Sequence, residues 1–191
     1  MKVIGITHTA EGKAMYIKPD SALLVGGKPF FLPHFSEQIA AHVCLTVRIN
    51  RLGRCIEKQF ANRYYDSVTL GINLQAADLM TPPYSLDRLI RATGFDNSLV
   101  VGEWMPTDCV TEWTIGTEAE KHTYHITDLV CSIDEAVSEI SQYITIRMGD
   151  MIAVDFKDAA TLLHKEEEWR GKAGQEDVLY CKIKSCLYLK D

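Results

Sequence analysis

The sequence predicts an α+β fold built mainly from mixed β-sheet, with two or three short helices. Three observations carry this expectation. Residues 42–50, HVCLTVRIN, alternate cleanly: Val43, Leu45, Val47 and Ile49 share one face, while His42, Cys44, Thr46 and Arg48 share the other. The second half holds short apolar runs separated by turn residues. Helical spacing is confined to a few short stretches, and no internal repeat or low-complexity segment is visible.

The elements follow in order. KVIGI opens as a strand, and SALLVGGKPFFLP reads as strand, Gly-Gly turn, strand. CIEKQFANRYY places Ile56, Phe60 and Tyr64 on one helical stripe. SVTLGINLQAADL is strand-like, then turn-like or helical. SLDRLIRATGF is a short helix with Ser85 as N-cap and Gly94 as its stop. TDCVTEWTIGTEAEKHTYHITDLV reads as a hairpin or meander. In SIDEAVSEISQYI the capping box of Ser132 and Glu135 precedes an apolar stripe of Val137, Ile140 and Ile144. Gly149-Asp150, between two apolar segments, predicts a hairpin-type turn. The charged tail predicts a turn and at least one late strand.

A chain of 191 residues fits one domain spanning 1–191, large enough to bury roughly 70% of its unfolded surface. Its 20 Lys+Arg against 26 Asp+Glu give a net charge of -6. Mild acidity without a basic run argues against nucleic-acid and anionic-membrane partners. The N-terminal apolar run is too short for a signal peptide, and no segment approaches the roughly 20 apolar residues of a membrane span. Cysteines at 44, 55, 109, 131, 181 and 186 form no CxxC, so they are expected as reduced thiols in a soluble cytoplasmic protein.

The order of IKPDSALL, VRINRLGRCIEKQFANRYYDSVTLGINLQAADL, ATGFDNS and ITDLVCSIDEAVSEISQYITIRMGDMIAV resembles that of the fumarylacetoacetate hydrolase family over about residues 1–154. The resemblance implies a mixed-sheet roll, usually dimeric. It also implies Mg²⁺, Mn²⁺ or Ca²⁺ held on three carboxylates to polarise a β-diketone-like or 2-keto acid substrate for hydrolysis, decarboxylation or isomerisation. Two carboxylates of the family come from a Glu-x-Glu whose period of 2 points both side chains into one coordination sphere. Here those positions read His42 and Cys44, and the family's aspartate position reads Asn73. Thr93 stands at the family's lysine, and Thr7 and Glu11 stand in its N-terminal motif, whose histidine takes part in acid/base work in some members. The segment GDMIAVDF replaces the family's GTP-like stretch, and residues 155–191 are read from pattern alone.

A hard dication wants charged oxygen ligands, whereas imidazole, thiol and amide offer almost no charge, so no Mg²⁺, Mn²⁺ or Ca²⁺ is expected. Zn²⁺ would accept His42 and Cys44 but asks for a stronger third ligand than Asn73, with His8 or Glu11 as its source. A Cys44–His42 nucleophilic pair is a further option. However, the two residues stand roughly 6.5 Å apart along a strand, and no nucleophile elbow presents the thiol. The favoured reading makes His42, Cys44 and Asn73 wall residues of a former metal site. Glu11, Lys18, Asp20 and Thr93 are the remaining pocket candidates. The expectation is a catalytically impaired family member acting as a binding, regulatory or subunit-partner protein. A small organic acid is its ligand, and its partner is a second copy or an intact relative. The alternative is an active hydrolase, isomerase or decarboxylase with a soft-metal or Cys-based site.

Overall fold

The alternating stretch after residue 41 lies at the middle of the larger of two sheets. The computed structural model describes residues 1–185 apart from Ala10, Tyr84, residues 109–111 and Ala159. The first strands are β1 (Lys2–Thr9), β2 (Gly12–Pro19), β3 (Leu23–Val25), β4 (Phe30–Phe31), β5 (Ile39–Ile49), β6 (Tyr65–Ala76) and β7 (Leu99–Val101). Then come β8 (Met105–Pro106), β9 (Glu112–Gly116), β10 (Lys121–His125), β11 (Met151–Asp155), β12 (Thr161–Leu162), β13 (Glu168–Ala173) and β14 (Glu176–Lys184). Helices α1 (Leu86–Thr93) and α2 (Ile133–Tyr143) interrupt them. The larger sheet runs β2-β1-β11-β5-β6-β7-β3, with β12 beside β5 and β8 beside β6. The smaller runs β10-β9-β13-β14-β4. Both are mixed, since β1 pairs parallel with β11, β3 with β7, and β14 with β4.

One connection dictates the shape. Strands β2 and β3 hold opposite edges of the larger sheet, yet only the 3-10 turn Asp20–Ala22 joins them. Laid flat, the edges of such a sheet would stand roughly 29 Å apart at about 4.8 Å per strand. Three residues reach only about 10 Å. The sheet therefore curls until its edges nearly meet, and one face becomes the inside of a roll.

Register assigns the side chains to faces. Residues paired across neighbouring strands point the same way. Lys18 opposes Val3 and Tyr16 opposes Gly5, Val3 opposes Met151 and Gly5 opposes Ala153, Asp155 opposes Cys44, and His42 opposes Asn73. These groups share the inner face, where Val3, Cys44, Leu99, Val101, Met151 and Ala153 form a small core. The outer face carries Ile4, Ile6, Leu45, Val47, Leu70, Ile72, Ile152 and Val154. They join the main core with α2 (Ala136, Val137, Ile140) and the smaller sheet (Ile115, Trp169, Leu179).

The local signals at α1 and α2 hold. Ser85 Oγ accepts from the Arg88 amide and Ser132 Oγ from that of Glu135, each relieving an unpaired N–H of the first turn. Only half of the capping box at Ser132 closes, because the Glu135 carboxylate turns outward to Lys13 and Lys58. The two strands of SALLVGGKPFFLP form on either side of the Gly-Gly turn as expected, β3 in the larger sheet and β4 in the smaller. Two expectations change. Around Phe60 the chain forms a tight 3-10 segment, Lys58–Arg63, in place of a helical stripe, and Phe60 is exposed. Gly149-Asp150 turns the chain with Gly149 at φ +88°, but makes no hairpin. Strand β11 instead inserts between β1 and β5, because Asp150 accepts from the Arg147 and Lys2 amides and pins the turn to β1.

Candidate functional site inside the roll

The three positions that the sequence resemblance sets against the family's ligand carboxylates lie together on one face. His42 and Asn73 face each other across β5 and β6, and Cys44 is one pleat along the same face, opposite Gly71. A side chain at Gly71 would put Cβ 2.8 Å from Cys44 Sγ and 2.9 Å from Thr46 Oγ1, so only glycine leaves room there. Cys44 and Asn73 are fully buried, whereas His42 is half-buried.

A carboxylate absent from the sequence reading completes the group. Asp155, at the end of β11, is 1% exposed. Asn73 Nδ2 donates to its Oδ2 at 3.1 Å and to its Oδ1 at 3.4 Å. The Thr7 and Tyr16 hydroxyls also turn toward this carboxyl and favour its ionised form. Neither closes a bond of good geometry, and both are buried without a partner, as is Asn73 Oδ1. Burial dominates: it pushes the Asp155 carboxyl up to about 7 against the pull of Thr7, Asn73, Lys18 and Tyr16.

Lys18 answers it from β2, the edge strand two places from β11. Its ammonium donates to Leu74 O at 3.1 Å, to Ser98 Oγ at 3.0 Å, and to Thr93 O. It lies 5.6 Å from the centroid of the Tyr16 ring and 5.8 Å from that of Phe95. These acceptors saturate an ammonium's three donors. Burial nonetheless pulls Lys18 down to about 7, with Asp155 and Cys44 pulling it back up. The same burial keeps His42 neutral, lowered to about 4 with help from Lys18. It raises the Cys44 thiol well above its ordinary range, with Asp155 adding to the rise.

The remaining pocket candidates divide. Thr93 joins the group through its carbonyl, while its hydroxyl folds back to Leu89 O. Glu11 is exposed in the turn between β1 and β2, and Asp20 is exposed at the start of the following 3-10 turn. No bond joins either to the buried group among the described residues. His8 points outward and is exposed. Among the described residues, no group of three or more His, Cys, Asp or Glu side chains is arranged to hold a metal ion. Cys44, Cys55, Cys131 and Cys181 are free thiols, and Cys109 and Cys186 lie outside the described residues. Asp155 had one legible signal: a lone acidic residue at the inward period of the otherwise apolar MIAVD.

Residues 5–154 match the family described as fumarylacetoacetate (FAA) hydrolase, C-terminal. The chain belongs to the fumarylacetoacetate hydrolase family. Asp155 is the first residue beyond the matched span. The roll is shared with fumarylpyruvate hydrolase from Pseudomonas aeruginosa, solved in complex with Mn²⁺ and pyruvate. The two are 16% identical with a TM-score of 0.86 over 97% of this chain and 90% of that one. It is shared equally with 5-carboxymethyl-2-hydroxymuconate delta-isomerase from Mycobacterium smegmatis, 18% identical at a TM-score of 0.84 over 97% and 79% of the chains. A third is 2-hydroxyhepta-2,4-diene-1,7-dioate isomerase from Mycobacterium marinum, 18% identical at 0.84 over 96% and 74%. No curated protein matches the sequence. No helix among the described residues is long and apolar enough to cross a membrane.

Proposed function

We propose that this family member has given up hard-dication chemistry and acts as a binding, regulatory or subunit-partner protein, cytoplasmic and dimeric with itself or with an intact relative. The observation that carries this reading is the Lys18–Asp155 group. Where the family resemblance calls for three carboxylates around a dication, this roll holds one buried carboxylate already bonded by Asn73. A lysine ammonium in the same enclosed face supplies the positive charge. A hard dication needs several anionic oxygens to offset its dehydration. Imidazole, a protonated thiol, an amide and one carboxyl do not fit it, and Lys18 repels it.

A small organic acid is the ligand class we assign, admitted beside the half-buried His42, Thr93 and Phe95. The alternative, a soft-metal or thiol-based enzyme, finds less support. Cys44 is fully buried and its thiol is held protonated, the opposite of what a nucleophile or thiolate ligand requires.

Calorimetric titration with MnCl₂ and MgCl₂, beside assays of acylpyruvate cleavage and oxaloacetate decarboxylation, tests the proposal. The expected outcome is no saturable metal binding at millimolar concentration and no metal-dependent turnover. Family-like turnover with either metal overturns it.

A further inference from the structure

The connection from β5 to β6 carries a charge pattern that the group inside the roll does not use. It begins after Ile49, roughly 23 Å along β5 from His42 at about 3.3 Å per residue. Residues 50–64 and 143–149 hold five positive side chains, Arg51, Arg54, Lys58, Arg63 and Arg147, against the one carboxylate of Glu57. The chain as a whole carries -6, so this face runs against the charge of the rest.

Backbone bonds bring the two segments together. Gly53 and Ile146 exchange amide–carbonyl bonds at 3.0 Å, the Cys55 amide donates to Ser141 O at 2.8 Å, and the Asn50 amide donates to Tyr64 O at 3.0 Å. Cys55 holds φ at +50°, a left-handed conformation that persists only where the surroundings fix it. Lys58 turns to Glu135, but none of the four arginines has an ion pair among the described residues. Two of them lie over rings instead. Arg51 is 5.7 Å from the centroid of Tyr64, and Arg63 is 4.9 Å from that of Phe60. A guanidinium stacked on a ring keeps its N–H edge free to fork onto a carboxylate. Beside them Leu52, Tyr143 and Met148 are 67%, 74% and 76% exposed, so the fold itself does not use them. Arg, Tyr, Phe and Met are the residue types that protein interfaces concentrate.

We propose that this face is a docking surface for an acidic protein segment, whose carboxylates meet the four arginines and whose apolar side chains rest on Leu52 and Met148. Charge complementarity selects the acid. A single-stranded nucleic acid wants open rings on which to stack its bases, and guanidinium groups already cover Tyr64 and Phe60. A flat anionic bilayer would meet the acidic remainder of the chain as well, which a short segment avoids. The face is independent of the loss of metal chemistry, since it takes nothing from the Lys18–Asp155 group.

A fluorescein-labelled peptide of sequence DEFDELDEFD, read by fluorescence anisotropy, is the probe. Its controls are the same peptide with serine at every acid, an oligothymidylate of equal length, and vesicles containing phosphatidylserine. The acidic peptide is expected to bind saturably and to weaken at least tenfold from about 50 to about 500 mM salt. The serine peptide should bind at least tenfold more weakly. Arg51→Gln with Arg63→Gln is expected to weaken the acidic peptide about tenfold, and Leu52→Ser about threefold. Arg170 also lies on a ring, 5.2 Å from that of Tyr180, but is paired with Glu168 on the smaller sheet, so Arg170→Gln should leave binding unchanged. All of these side chains are exposed, and the wild-type comparison of the two peptides decides even where a variant fails to fold. No saturable binding, equal binding of the serine peptide, tighter binding of the oligothymidylate or the vesicles, or an equal loss in Arg170→Gln overturns the proposal. A dimer in sedimentation that the Arg51/Arg63 variant splits overturns it too, because the face then belongs to a second copy.

Discussion

Replacing Lys18 by methionine keeps its length and removes its charge, which tests whether Lys18 and Asp155 act as a buried pair. Asp155 then loses its counter-charge at 1% exposure, and breaking a buried pair from one side costs about 3–5 kcal/mol. Part of that cost is avoidable. The Asp155 carboxyl already sits at about 7, so keeping it neutral costs only about 1.4 kcal/mol per pH unit above that value. The Lys18→Met penalty is therefore expected to shrink toward acidic pH. Asp155→Asn leaves the ammonium with its three neutral acceptors and should cost less, about 1–3 kcal/mol. The double variant should be less damaged than the sum of the two singles by about 2 kcal/mol. The pH dependence adds a sharper signature. The folded Asp155 holds its proton more tightly than in the unfolded chain, so its contribution to stability falls as pH rises from about 4 to about 7. The folded Lys18 holds its proton less tightly, so its contribution rises from about 7 to about 10.5. The stability of wild type minus that of the double variant should thus pass through a minimum near pH 7. Urea unfolding at pH 5, 7 and 9 measures it. Additive single variants would refute the pairing, and a difference that peaks at neutral pH would refute the dominance of burial over mutual attraction in the two shifts.

Other perturbations read neighbouring features. Alkylation of the native protein should reach exposed Cys55 first and spare Cys44, which is buried with a raised thiol; mass spectrometry that finds Cys44 modified as fast would revive the thiol-based enzyme. Gly5→Ala would place a Cβ 2.0 Å from the Tyr16 ring and force it away from the Lys18–Asp155 group. A loss of about 2–3 kcal/mol is expected in thermal melts, and a neutral result would place Tyr16 elsewhere. Ser132→Ala removes the N-cap of α2 and should cost about 1 kcal/mol. Converting His42 and Cys44 to Glu, Asn73 to Asp and Thr93 to Lys should create measurable Mn²⁺ affinity by calorimetry. An unchanged titration would mean that these positions do not map onto the family's ligand set.

Much of the fold is legible one element at a time. The alternation at β5, the N-caps at Ser85 and Ser132, and the hairpin of β9 and β10 all appear where local pattern places them, since each depends on contacts within a few residues. The Gly149-Asp150 turn misleads for the converse reason: its geometry is hairpin-like, but the partners of β11 are β1 and β5, both far away in the chain. Among site residues, His42, Cys44 and Asn73 are found because one alternating strand and its neighbour in sequence hold them. Asp155 is missed because nothing within MIAVDF says what its inward face will meet.

The sequence by itself determined the family, the two faces of each strand, and the near-neutral character of positions 42, 44 and 73. These follow from residue identity and a period of two. Only the tertiary structure decided that the interior of the roll brings together a lysine and an aspartate 137 positions apart in the chain. Their meeting depends on the roll closing through the short Asp20–Ala22 turn and on the register of β11 between β1 and β5. Closure and long-range register are set by the packing of the whole sheet, so no local stretch of residues encodes them.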